Sequence, residues 1–179
     1  MRKVWARNPS YDKVNSLSSY LNNNGEKWIL ISQDSIMQYY GDKLYDHLLG
    51  HGFKITKVSI KDGESSKDLA IYTDIISTML EKNFDRSSVV LSLGGGVVGD
   101  IAGFVSATYM RGIRYHQIPT TLLAMVDSSI GGKTGLNFSK TKNIIGSIYQ
   151  PSSVIIDPEI LMTLPRDEVI SGLGEIIKY

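Results

Sequence analysis

Three glycines in succession, Gly94, Gly95 and Gly96, follow a short apolar run and precede a segment of helical composition, in the stretch LSLGGGVVGDIAG over residues 91–103. Glycine lets a backbone take positive φ and come within touching distance of a ligand. A helix opening there offers free N–H groups and the positive end of its dipole, which suits a pyrophosphate. The spacing departs from G-x-G-x-x-G, and a tight strand-to-helix turn without a ligand would use the same residues.

A second reactive stretch covers residues 119–146, PTTLLAMVDSSIGGKTGLNFSKTKNIIG. Thr120, Thr121, Asp127, Lys133, Lys142 and Asn143 alternate there with Gly131, Gly132 and Gly135. Its polarity and glycine content argue against core and its regular punctuation against a random linker, which leaves a site-forming stretch or a solvated loop with incidental lysines. Lysines beside glycine turns approach phosphate or carboxylate oxygens as point charges. Gly131-Gly132-Lys133-Thr134 imitates the end of a P-loop, but the first glycine that motif needs is absent, and the assignment is rejected. Glu175 and Lys178 stand three apart on a helical pattern. That spacing gives a surface ion pair, or a carboxylate that is one ligand of a metal needing about three from the protein. His47 and His51, at i and i+4, read as a surface pair with metal-ligand spacing, and His116 reads as a packed, hydrogen-bonded strand residue.

The elements that would carry these residues alternate. Residues 27–32, 54–60, 88–93, 115–118 and 153–156 read as strands, the third as a fully buried one. Helical spacing covers residues 37–49, residues 66–83 with Leu69, Tyr72, Ile76, Met79 and Leu80 on one face, residues 96–110 and residues 166–179. Strands alternating with helices predict an α/β fold, Rossmann-like, with a mainly parallel sheet and helices on both faces. Pro165 suits the start of the last helix, which reaches Tyr179 without a closing glycine, asparagine or proline.

At 179 residues the chain supports one domain with a real core. A formal charge of +1 gives no reason to expect nucleic acid or an anionic membrane as partner. There is no cysteine, so thiolate zinc sites and disulfides are excluded. Residues 1–16 are too polar for a signal peptide, no run is apolar enough to span a bilayer, and a cytoplasmic location is expected.

The blocks GGGVVGDIAGF, ATYMRGIRYHQIPTTLLAMVDSSIGGKTGLN, KNIIGSIYQP and TLPRDEVISGLGEIIKY, preceded by DGESSK at residues 62–67, together resemble the 3-dehydroquinate synthase family. The resemblance implies an NAD- and metal-dependent lyase of the shikimate pathway, acting on 3-deoxy-D-arabino-heptulosonate 7-phosphate to release phosphate and close a carbocycle. In that chemistry NAD takes up and returns a hydride, while the protein orients and polarises the substrate. It implies that Asp62, Gly63, Glu64 and Lys67 meet the adenosine ribose region, and that Gly95, Gly96, Val97, Val98, Gly99 and Asp100 hold the pyrophosphate. Thr120 and Thr121 would lie further along the cofactor, and Thr163 and Leu164 near the adenine. Asp127, Lys133, Lys142 and Asn143 would line the nicotinamide and substrate pocket, with Lys133 and Lys142 shared with the cofactor. Glu175 would bind a divalent metal, zinc or cobalt, and Lys178 the substrate. Arg111 would reach the substrate phosphate in the partner subunit of a homodimer.

Two local departures stand out: Ser65-Ser66 replaces a more usual pair, and Thr141 replaces glycine or alanine. Family members are about twice as long, and none of the three histidines here matches the family's metal-binding ones. The chain therefore reads as the NAD-binding N-terminal domain, residues 1–179, ending in the first helix of an absent helical metal and substrate domain, and inactive alone. Another sugar phosphate cyclase, such as a 2-deoxy-scyllo-inosose or epi-valiolone synthase, a related polyol dehydrogenase, and a non-catalytic nucleotide-binding protein are the alternatives.

Overall fold

The computed structural model describes residues 3–6 and 15–178; the remaining expectations for the termini, Tyr179 among them, fall outside those residues. In chain order the elements are β1 (Lys3–Ala6), α1 (Asn15–Leu21), β2 (Lys27–Gln33), α2 (Asp34–Ile36), α3 (Asp42–Gly50) and β3 (Lys54–Ile60). Then follow α4 (Leu69–Glu81), β4 (Val89–Gly94), α5 (Gly96–Thr108), β5 (Arg114–Pro119), α6 (Ser129–Gly131), β6 (Lys133–Phe138), β7 (Thr141–Ile148), β8 (Ser153–Ile156) and α7 (Arg166–Lys178). Six strands form one sheet in the order β1-β8-β5-β4-β2-β3, and every pairing in it is parallel.

Period-two alternation sends the sheet's side chains into two cores. Ile29, Ile31, Val90 and Tyr115 face α4 and α5, where Ile75, Met79, Ile101 and Val105 close one core. Trp28, Leu30, Leu91 and Ile118 face the other way, onto Leu21, Leu48 and Ile160. β4 is buried at all six positions, as a central parallel strand covered on both faces must be. The α/β reading with helices on both faces is what the chain adopts.

Local details differ from the sequence reading. The helix predicted from residue 66 starts at Leu69, because residues 64–66 form a 3-10 turn and Asp68 Oδ1 accepts the Ile71 N–H at 3.0 Å as N-cap. Its buried residues are Ile75 and Met79; Leu69 and Leu80, placed on the apolar face by spacing, are 45% and 58% exposed. α5 stops at Thr108 rather than near residue 110, because Met110 and Arg111 adopt left-handed φ values of 49° and 66°.

The largest correction concerns residues 119–146. They are not a loop but a π-helical turn (Ala124–Ser128), α6 and the antiparallel hairpin β6–β7, joined by the two residues Ser139 and Lys140. Leu136 is fully buried beneath the hairpin against α5, so the segment contributes to the core despite its polarity. A Cβ on Gly103 would stand 2.3 Å from Thr134 Cγ2, so α5 is bare where the hairpin crosses it.

Candidate functional site

The chain passes from β3 across β2 to β4, so the connections leaving β2 and β4 run to opposite sides of the sheet. Such a switch point opens a crevice beyond the carboxyl ends of the strands. The triple-glycine turn lies there. Gly95 is the N-cap of α5, and the Thr120 N–H donates to Gly94 O at 3.0 Å, tying the end of β5 to the turn.

Beneath the turn lies a buried polar support. Tyr115 Oη donates to Gly99 O at 3.1 Å and accepts from Ser92 Oγ at 3.3 Å. Complete burial pushes the Tyr115 hydroxyl far above the usual phenol range, so it stays a donor. A Cβ on Gly99 would meet Gln117 Nε2 at 2.5 Å, so the bare α5 backbone there leaves room for that buried side chain whether or not a ligand is present. Above the turn, Thr121 stands 3.1 Å from where a Gly95 Cβ would be, and Ser128 Oγ stands 3.6 Å from where a Gly96 Cβ would be. Among the described residues, the buried hydroxyls Thr120 Oγ1, Ser128 Oγ and Ser129 Oγ have no hydrogen-bond partner. Buried polar atoms of this kind imply a missing partner.

A cavity of about 510 Å³ opens beside the turn. Asp100, Asp127, Lys133 and Asn143 line it, so four predicted residues drawn from α5, the π-helical turn, β6 and β7 converge. Lys67 is buried behind them, its ammonium 2.6 Å from Asp100 Oδ2, 2.5 Å from Asn143 Oδ1 and 3.6 Å from Glu64 Oε1. Burial raises the Asp100 carboxyl above its ordinary range against the pull of Lys67, and the negative charges of Glu64 and Asp127 push the same way. Lys67 thus already has partners within the chain, where the sequence offered it only to a cofactor.

The other predicted residues are more dispersed. Asp62, just past β3, accepts from Ser35 Oγ at 2.7 Å, and Gly63 has φ 99°. Val97 and Val98 belong to the first turn of α5, with Val98 in the core. Lys142 is exposed on β7 and is not part of the cavity wall. Thr163 lines a second, mostly apolar cavity of about 440 Å³ on the opposite face of the sheet, where its Oγ1 is 2.6 Å from Tyr40 Oη; Leu164 follows directly. Arg111 precedes β5 and so stands at the amino ends of the strands, about 20 Å from the turn by the length of α5. Glu175 lies on α7, which seats Gly172 against Leu122; its carboxylate pairs with Lys178 Nζ at 2.8 Å. Among the described residues no three His, Cys, Asp or Glu side chains gather into a metal site, the His47–His51 pair included. His116 is the packed residue expected: its ring stacks on Trp28 with centroids 5.6 Å apart, and Nδ1 is 2.7 Å from Ser153 Oγ.

Sequence reasoning missed Ser129 and Asn137. Polar residues in a glycine-rich stretch carry no sign of burial; the one usable signal for Asn137 was the alternating pattern KTGLNF followed, after two residues, by TKNIIGSI.

A family model described as 3-dehydroquinate synthase N-terminal matches residues 57–171. A 3-dehydroquinate synthase from Alkaliphilus metalliredigens is 52% identical over 154 residues, which are 86% of this chain and 43% of that protein. One from Ruminiclostridium cellulolyticum is 51% identical over 155 residues, 87% of this chain and 43% of that protein. The chain thus spans less than half the length of these curated relatives. Among solved structures, 2-deoxy-scyllo-inosose synthase complexed with carbaglucose-6-phosphate, NAD+ and Co2+ matches with TM-score 0.88 and 26% identity over 98% of this chain and 47% of that one. ValA, a 2-epi-5-epi-valiolone synthase from Streptomyces hygroscopicus with NAD+ and Zn2+ bound, matches with TM-score 0.84 and 30% identity over 99% of this chain and 49% of that one. Butanol dehydrogenase A from Thermotoga maritima, at 19% identity and TM-score 0.73, shares the fold. Motifs, topology and family match agree, and the chain belongs to the 3-dehydroquinate synthase family, of which residues 57–171 are the N-terminal region.

Proposed function

We propose that this chain is the NAD-binding part of a 3-dehydroquinate synthase, a phosphate-eliminating lyase acting on 3-deoxy-D-arabino-heptulosonate 7-phosphate in the cytoplasm. One observation carries the reading: the unpartnered hydroxyls of Thr120 and Ser128 and the open N-terminus of α5 converge on a single turn at the switch point, beside a cavity lined by Asp100, Asp127, Lys133 and Asn143. Those features suit a dinucleotide. Gly95, Gly96 and the first turn of α5 would take the pyrophosphate, with Thr120 and Thr121 alongside. Asp62, Gly63 and Glu64 would meet the ribose, Thr163 and Leu164 the adenine, and Lys142 would close over the cofactor from β7. Bound NAD supplies reversible hydride transfer at a secondary alcohol. Asp127, Lys133 and Asn143 would orient the sugar phosphate by charge and hydrogen bonding, and Lys178 would add a cation from α7.

The described residues do not by themselves suit a divalent metal. Glu175 is one carboxylate, already paired with Lys178, where zinc or cobalt needs about three protein ligands. The reading therefore takes the other ligands from outside these 179 residues and holds the chain alone to be inactive. Arg111, at the amino ends of the strands and away from the cavity, would serve the substrate of the partner in a homodimer.

Calorimetric titration with NAD+ tests the reading, using Gly96→Ala as the control. The new methyl would meet Ser128 Oγ at an ordinary 3.6 Å, so the fold should tolerate it while the approach of a pyrophosphate is blocked. We expect wild-type binding, at least about tenfold weaker binding by the variant and an unchanged unfolding midpoint. Absence of NAD+ binding, or equal affinity in both proteins, refutes the reading.

A further inference from the structure

The hairpin that forms one cavity wall is irregular at the place where Asn143 enters. Leu136 pairs with Ile145 and Phe138 with Thr141, so the single residue Asn137 spans three on the facing strand: Lys142, Asn143 and Ile144. This is a bulge, a device that re-aims a side chain at the cost of regular ladder bonds. Asn143, within it, takes a left-handed φ of 54°. Asparagine tolerates that conformation, but something must hold it there.

The side chain of Asn137 does so. Its Oδ1 accepts the Asn143 N–H at 2.9 Å, in place of a ladder acceptor. Its Nδ2 donates to Glu64 Oε1 at 3.0 Å, and its own N–H donates to Lys67 O at 2.7 Å. Both carboxamide ends are therefore assigned by their partners, since a carboxylate only accepts and an amide N–H only donates. From the other side, Lys67 Nζ holds Asn143 Oδ1. Lysine has donors only, so the Asn143 Nδ2 group is turned away from it, leaving two donors for a ligand in the cavity that Asn143 lines.

We propose that Asn137 is a positioning residue: it locks the bulge to the segment carrying Glu64 and Lys67, and so sets Asn143 as a hydrogen-bond donor toward ligand oxygens. The inference rests on the proposed NAD-dependent reading for the identity of the ligand, but not for the geometry. Its test has two separable readouts on the 179-residue chain.

Amide exchange followed by NMR reports the lock without any ligand. In Asn137→Ala, the Asn143 amide should exchange about tenfold faster, while amides in the core of α5 are unchanged. Asn137→Asp keeps the acceptor but sets a carboxylate against Glu64. Adding Glu64→Gln restores a donor to face it, so the double variant should regain the protection of Asn143. Unchanged exchange in Asn137→Ala, or failure of the double variant to recover, overturns the proposal. NAD+ affinity, measured well below the unfolding midpoint on protein whose far-UV circular dichroism matches wild type, is the second readout, expected to fall about tenfold in Asn137→Ala. Equal affinity in that variant also overturns it. A wild-type chain that binds no NAD+ refutes the functional reading instead, and exchange at Asn143 still decides the role of Asn137.

Discussion

His116 gives the fold an acid limb whose size follows from its surroundings. Burial against Trp28, and secondarily the positive charge of Arg114, hold its ring neutral down to about pH 4, from an ordinary 6.5, with Glu26 opposing. The unfolded chain therefore binds the proton first, and stability falls as pH drops between those values; above 6.5 the contribution is complete. Between those two values, lowering the pH from 7 to 5 should cost about 2 kcal/mol, and lowering it to 4 about 3 kcal/mol. His116→Phe retains an aromatic ring on Trp28 and removes the titration. Urea unfolding of both proteins at several pH values isolates the effect, because carboxylates titrating in the same window cancel in the difference. The two stabilities should converge, or cross, as the pH falls, since only wild type loses the His116 contribution. A difference constant from pH 7 to 4.5 would refute the argument, as would an imidazole NMR titration placing the ring near its ordinary value.

Two further substitutions probe how the cavity is held. Lys67→Met leaves the half-buried Asp100 carboxylate without its cation and should destabilise the chain by about 3 kcal/mol in urea unfolding at neutral pH. Burial already raises that carboxyl, and losing Lys67 raises it further, so the deficit should shrink on acidification as the group protonates; adding Asp100→Asn should recover much of it at any pH. Gly103→Ala gains helix propensity in α5 but drives a methyl to 2.3 Å from Thr134 Cγ2, with an expected net loss of about 1–3 kcal/mol. Adding Thr134→Ser removes that methyl partner and should recover most of the loss in the same assay; a destabilisation that persists would place the cause elsewhere.

What the sequence determined by itself was whatever local pattern encodes. Buried strands such as VVLSLG announce themselves by continuous apolar residues, and the glycine turn by a composition few other structures need. The α/β class, the turn at the head of α5 and the packed state of His116 followed from that, and the ordered blocks carried the family. The tertiary structure decided what depends on partners distant in the chain. Residues 119–146 looked like loop because their polar side chains serve a cavity rather than solvent, and a hairpin with one buried apolar side chain, Leu136, shows no core strand by spacing. On α4, spacing selected Leu69 and Leu80, yet the sheet and α5 cover Ile75 and Met79: periodicity fixes which residues share a face, but only packing fixes which face is turned inward. Lys67 meets Asp100 and Asn143 across separations of 33 and 76 residues, and no local rule reaches that far, because those contacts exist only once α5 and the hairpin have docked on the same sheet.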